Sequence, residues 1–147
     1  MTEHVLRFTR VFDAPRQLVF SCMTEPEHLT HFWGPIGTSA PLDRITVDAR
    51  PGGAFRTVMV NDADGSTYPT SARYLEVSPP ERLSWAEDHS GMTVTATFTD
   101  LGENRTQVDI EQTNVPAQML DPRAQAGFLT SLDRFAAHLA RLTRAER

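Results

Sequence analysis

Apolar and polar residues alternate at every second position through most of this chain, and in a few stretches the step lengthens to three or four. The short period marks strands with one dry face, and the longer one marks helices. His4 to Phe12 reads as a first strand, with Val5 opposed to Leu6, then Phe8 and the pair Val11 and Phe12. Asp13 follows, and Pro15 falls just inside a helix start, where its fixed φ is favourable. Arg16 to Met23 carries Leu18, Val19 and Cys22 at helical spacing. Thr24-Glu25-Pro26-Glu27 has the form of a capping box with an early proline. It predicts a short second helix to about Phe32, ended by Trp33-Gly34-Pro35.

Strands follow. Ile45, Val47 and Ala49 alternate with Arg44, Thr46, Asp48 and Arg50, and Pro51-Gly52-Gly53 turns the chain. Ala54 to Val60 and Thr70 to Val77 are two further strands, joined by a hairpin loop at Asn61 to Gly65. Pro79-Pro80 closes the second of them, and Arg82 to Glu87 puts Leu83 and Trp85 on one face. Val94, Ala96 and Phe98 alternate with threonines, and Val108 and Ile110 alternate with Gln107, Asp109 and Glu111. The pattern is that of an antiparallel sheet, dry on one face and wet on the other. The last element is a long helix. Asp121 is a good N-cap and Pro122 a good first residue. Phe128, Leu132, Phe135, Leu139 and Leu142 form its apolar stripe, against Asp133, Arg134, Arg141 and Arg144 on the opposite face.

The stable arrangement of these parts lays the stripe on the dry face of the sheet. A twisted sheet of this many strands curls. The expected fold is therefore α+β, of helix-grip form: a curved antiparallel sheet wrapped around a long C-terminal helix, with two short helices after the first strand. Such a grip leaves a gap between sheet and helix, and apolar hollows with a few polar groups are the usual small-molecule sites. The 147 residues fit one domain over 1–147.

Charge narrows the partners. The chain has 14 basic and 19 acidic residues, a net of -5, which argues against a nucleic-acid binder and against an electrostatic hold on anionic lipid. Arg141, Arg144 and Arg147 suit the C-terminal end of the helix dipole. The one cysteine, Cys22, reads as a small buried apolar residue. Met1 to Arg10 has no signal-peptide pattern, and no apolar run approaches the roughly 20 residues of a membrane span. A cytoplasmic protein is expected.

Several short pieces, in order, carry a family resemblance: Phe12-Asp13-Ala14-Pro15 with Val19-Phe20, then Phe32-Trp33-Gly34-Pro35, then Asp48-Ala49-Arg50-Pro51-Gly52-Gly53-Ala54-Phe55-Arg56. Glu76-Val77-Ser78-Pro79-Pro80-Glu81-Arg82-Leu83 and Gly127-Phe128-Leu129 complete the series. The chain resembles the homologues of the activator of the 90-kDa heat-shock protein's ATPase, in the START-related SRPBCC helix-grip superfamily. The resemblance implies the same grip fold and a ligand cavity. Ala72 stands where members often have Gly, and Gly127-Phe128 where they often have Gly-Trp. The sequence has no counterpart of the separate N-terminal domain of the eukaryotic co-chaperones, so activation of that chaperone is not expected.

The inward registers are Phe55, Thr57 and Met59; Leu83 and Trp85; Val94, Ala96 and Phe98; Val108 and Ile110. The long helix adds Phe128, Leu132 and Phe135. The candidate cavity residues are Trp33, Phe55, Thr57, Met59, Arg73, Tyr74, Trp85, Glu87, Ala96, Phe98, Phe128, Leu132 and Phe135. Polar groups on inward registers are the sharper clues. Glu87 continues the Leu83–Trp85 face, and Gln112 continues the Val108–Ile110 face. Arg73 shares a register with Leu75 and Val77. If Glu87 and Arg73 both point inward, they pair or orient a polar head group; if they sit at strand ends, they reach water, which is the favoured reading. His28 and His31 lie three apart on one helix face, but no third metal ligand is evident, so both are expected to face solvent. His138 has no recognisable partner. No catalytic residue, metal or cofactor is expected.

The leading functional reading is a binder of a small hydrophobic molecule, a lipid or aromatic metabolite. One alternative is an enzyme of cyclase or hydrolase type on an aromatic or polyketide substrate, with Glu87, Arg73 and Tyr74 as its acid–base candidates. The other is a chaperone-associated interaction module with an exposed apolar patch. Homodimer formation is left open by the sequence.

Overall fold

The computed structural model describes residues 4–145; Arg147 lies outside them. The chain runs through β1 (Leu6–Phe12), α1 (Arg16–Thr24), α2 (Pro26–Leu29), β2 (Thr38–Ser39) and β3 (Thr46–Val47). It continues through β4 (Ala54–Asn61), β5 (Thr67–Ser78), β6 (Arg82–Glu87), β7 (Thr93–Gly102) and β8 (Arg105–Thr113), and ends in α3 (Pro122–Ala145). Short 3-10 turns occupy Leu42–Arg44 and Ala117–Leu120. The strands form one open sheet in the order β1-β8-β7-β6-β5-β4-β2, with β3 also paired to β4. Every pairing is antiparallel. With the long C-terminal helix, this is the expected helix-grip α+β fold.

The alternation read from the sequence is the alternation seen. Val94, Ala96 and Phe98 of β7 are buried, as are Thr106, Val108, Ile110 and Gln112 of β8. Register aligns Trp85, Val94 and Gln112 in one row across β6, β7 and β8, and Leu83, Ala96 and Ile110 in the next. These rows give the sheet a continuous dry face. α3 is pinned to it through Phe135, which meets Phe12 at 4.8 Å and stacks on Phe32 at 4.1 Å. Phe128, one helical stretch earlier, meets Phe8 at 4.6 Å.

Local chemistry departs from expectation in four places. Thr24 does not open a capping box: its hydroxyl donates back to the carbonyls of Phe20 and Ser21, each at 3.3 Å, and so finishes α1. Pro15 occupies the N-cap position of α1 rather than its first helical position. The strand expected over Ile45–Ala49 shrinks to Thr46–Val47, because the chain already turns at Asp48. There Arg50 N–H donates to the Asp48 carbonyl at 2.8 Å, and a Cβ on Gly53 would lie 2.0 Å from that same oxygen. β5 starts at Thr67, earlier than expected, because it pairs with β4 as far as Val60. Asp121 does cap α3, accepting the Arg123 N–H at 2.8 Å.

A cavity between sheet and helix

Small residues on both facing surfaces leave room between them. On α3, Ala124, Gly127 and Ser131 share the inward side with Phe128, Leu132 and Phe135; on the sheet, Ala72 and Ala96 face them. The result is a hollow of about 400 Å³, within the range usual for small-molecule sites. Its walls are almost wholly apolar.

One end is aromatic. The Phe55 ring meets Trp33 edge-on at 5.2 Å and Trp85 edge-on at 5.2 Å, with the two indoles 6.3 Å apart. Trp33 is held from outside. Its indole N–H donates to Thr57 Oγ1 at 3.1 Å, and Thr57 shares a 2.6 Å hydrogen bond with Thr70. The segment carrying Trp33 is bound to α3. Arg134 donates to the Gly34 carbonyl at 2.8 Å and the Pro35 carbonyl at 3.2 Å, and Ser131 donates to the Phe32 carbonyl at 3.0 Å. Gly34 is required here: its φ is +99°, and a Cβ would lie 2.6 Å from Thr38 Oγ1 and 2.9 Å from Met59 Sδ.

Polar groups reach the hollow at a few points. Gln112, 5% exposed, turns its side chain to the hollow. Glu87 lines the same space. Burial pushes its carboxyl above the ordinary glutamate range, and the Ser90 hydroxyl, donating at 3.1 Å, only partly offsets this. No basic side chain lines the cavity among the described residues.

Nine of the thirteen candidate residues line the hollow: Trp33, Phe55, Met59, Trp85, Glu87, Ala96, Phe128, Leu132 and Phe135. Four do not. Thr57 lies behind Trp33 as its acceptor. Phe98 packs on Phe20 at 5.2 Å. Tyr74 lies behind Phe55, stacked on it at 5.5 Å, with its hydroxyl buried and without a hydrogen-bond partner among the described residues. Burial, with a smaller contribution from Asp48, raises the pKa of that phenol. Arg73 points to the outer surface, 3.8 Å from Asp88. The reason is local: Ala72 and Tyr74 take the inward positions of β5, and a bulge between Tyr74 and Glu76 shifts the register beyond them. The Glu87–Arg73 pair considered from sequence is therefore not formed.

Sequence reasoning missed Phe12, Met23, Phe32, Met92 and Met119, which enter the wall from the first strand, the short helices and the loops. Periodicity carries no signal for Phe32, Met92 and Met119, which lie outside the strands and α-helices. Gly127 and Ser131 were legible in principle, as small residues flanking a stripe of large ones.

The profile of the family described as Activator of Hsp90 ATPase homolog 1-like protein matches residues 13–140. Among solved structures, a Chromobacterium violaceum protein superposes with a TM-score of 0.85 at 27% identity, over 92% of this chain and 97% of its own. A Nitrosomonas europaea protein gives 0.81 at 26% identity, over 95% and 96%. A Silicibacter pomeroyi protein named AHSA1 gives 0.77 at 25% identity, over 93% and 98%. No curated protein matches the chain. Among the described residues no helix is long and apolar enough to cross a membrane.

Proposed function

The chain belongs to the family of activator of Hsp90 ATPase homolog 1-like proteins, and from that premise we propose that its hollow holds a small, largely apolar molecule. The observation that carries this reading is the apolar cavity of about 400 Å³ between sheet and α3. Burial of apolar ligand surface supplies the affinity, at about 25 cal/mol per Å² before the costs of association. The ligand carries no anionic group. A buried anion needs a cation or several donors, and the lining includes no Lys, Arg or His. An uncharged aromatic metabolite suits the edge-presenting rings of Trp33, Phe55 and Trp85 better than the carboxylate of a free fatty acid does. Glu87, whose neutral form burial favours, and Gln112 offer hydrogen bonds to one polar group on it.

Catalysis of cyclase or hydrolase type is not favoured by any grouping. Of its three acid–base candidates only Glu87 enters the hollow, while Arg73 and Tyr74 face elsewhere. One domain over 1–147, acting as a binder, accommodates these features.

Native mass spectrometry of the protein purified from its own cells tests the reading. A discrete extra mass, lost on denaturation, is the expected result. A clean apo mass, with no change in Trp33 and Trp85 fluorescence on adding neutral aromatic compounds or lipids, would overturn it.

A further inference from the structure

Away from the hollow, α1, α2 and α3 converge on a second group of side chains. His28 Nδ1 lies 2.9 Å from His138 Nε2. The sulfur of Cys22 joins them, so that one ligand atom from each of the three residues lies within 4.8 Å of the others. None of the three lines the cavity. Cys22 is fully buried and His138 is 4% exposed, while the His28 side chain retains 23% exposure.

We propose that Cys22, His28 and His138 form a binding site for a divalent transition-metal ion of zinc type, held where α1, α2 and α3 meet. One thiolate and two imidazoles are a ligand set that zinc favours. Tetrahedral zinc, with bonds of about 2.0–2.1 Å to nitrogen and 2.3 Å to sulfur, sets its ligand atoms about 3.3–3.6 Å apart. To reach that spacing the imidazole nitrogens, 2.9 Å apart, need to separate by a few tenths of an ångström, and the sulfur, within 4.8 Å of them, needs to approach by up to about 1.2 Å. A fourth position stays open on the His28 side, where the group meets solvent.

Other side chains crowd the same histidine. His138 faces His28, His31 stacked on it at 4.7 Å, and Arg141, whose guanidinium lies 3.4 Å from His138 Nδ1. Arg141 donates to Nδ1, which places the His138 proton on Nε2 and makes His28 Nδ1 the acceptor. The remaining His28 nitrogen, Nε2, then carries its proton 4.0 Å from Glu25 Oε1. A carboxylate hydrogen-bonded behind a ligating histidine is a common outer partner in zinc sites, and Glu25 has to approach by about 1 Å to serve as one. On metal binding, the Cys22 thiol releases its proton to solvent. The His138 proton moves from Nε2 to Nδ1, and the exposed Arg141 side chain turns away. A hydrogen-bonded histidine pair accounts for the 2.9 Å contact by itself; the cysteine sulfur within the same small sphere is what supplies a third ligand.

Cobalt(II) titration of the full chain, freed of metal by chelator, tests the proposal. The expected result is one cobalt per chain, with four-coordinate visible bands and a near-ultraviolet thiolate-to-cobalt band, all displaced by zinc. Cys22→Ser removes the thiolate band. His138→Gln weakens binding by more than about a hundredfold, beyond the range for outer-shell changes. Should the buried variants fail to fold, half-exposed His28→Asn is the decisive one: zinc raises the melting temperature of the parent and leaves that variant's unchanged. A parent spectrum without the thiolate band, or unchanged affinity in folded His28→Asn, overturns the site.

Discussion

Trp33 and Thr57 are joined by a 3.1 Å hydrogen bond from indole N–H to hydroxyl, which fixes one wall of the cavity to the inner face of β4. Thr57 is only 1% exposed, so no solvent replaces it as acceptor. Replacing Thr57 with valine keeps the shape and leaves the indole N–H without its acceptor and the Thr70 hydroxyl without its partner. The expected loss is about 1–3 kcal/mol, the cost of an unpaired buried polar group. Urea unfolding of Thr57→Val, Trp33→Phe and the double variant measures it. The double variant should lose less than the sum of the two, and strict additivity would show the bond to contribute nothing.

Glu87 gives the fold a pH dependence of definite sign. Its carboxyl holds a proton more firmly folded than unfolded, because burial penalises the charge. Between the ordinary value of 4.5 and the raised folded value, the native state binds the extra proton. Stability from this group is present below that window and declines as pH rises through it. Glu87→Gln should remove the decline, gaining on the parent as pH increases. Melting temperatures of both proteins from about pH 4 to 8 compare the slopes; parallel curves would contradict the assignment.

Ala96 is wholly buried and lines the hollow. A leucine there has empty space to grow into, so its effect on stability should stay within about 1.5 kcal/mol, as for tolerated core changes. Binding of a neutral aromatic probe should weaken by about tenfold or more, equivalent to about 1.4 kcal/mol. Fluorescence titration against the parent reads this directly. Unchanged affinity would place the ligand elsewhere.

Cys22 should resist alkylation in the metal-free folded chain. Burial, aided by Glu25, pushes its thiol up to about 12, and the thiolate is the reacting form. The rate of modification should rise steeply only across the unfolding transition in denaturant. Fast modification of the native protein would show that the thiol is exposed or activated.

The fold was legible because its signals are repetitive. Val94, Ala96 and Phe98 alternate with threonines, and the α3 stripe recurs behind a strong Asp121–Pro122 start. Arg73 was misplaced because a bulge is a local backbone event that leaves no periodic trace. β3 came out short because hydrogen bonds around Asp48 begin a turn where side-chain alternation continues. The site was legible where the sheet and helix supply it, as at Phe55, Trp85 and Leu132, and hidden where loops do, as at Met92 and Met119. His138 was unreadable for another reason: its partner His28 is 110 residues away, and no pattern along the chain reports that meeting.

The sheet never closes, and this bears on how copies of the chain behave toward each other. A free strand edge is a template on which another chain can add a strand. Here one edge is β1, where Arg7 pairs with Glu111 at 3.1 Å and Arg10 with Asp133 at 2.9 Å. The other is broken into two strands of two residues each, β2 and β3. An incoming strand meets anchored charge on one side and too short a ladder on the other. The architecture thus leaves the sheet open while giving neighbouring chains little purchase for aggregation.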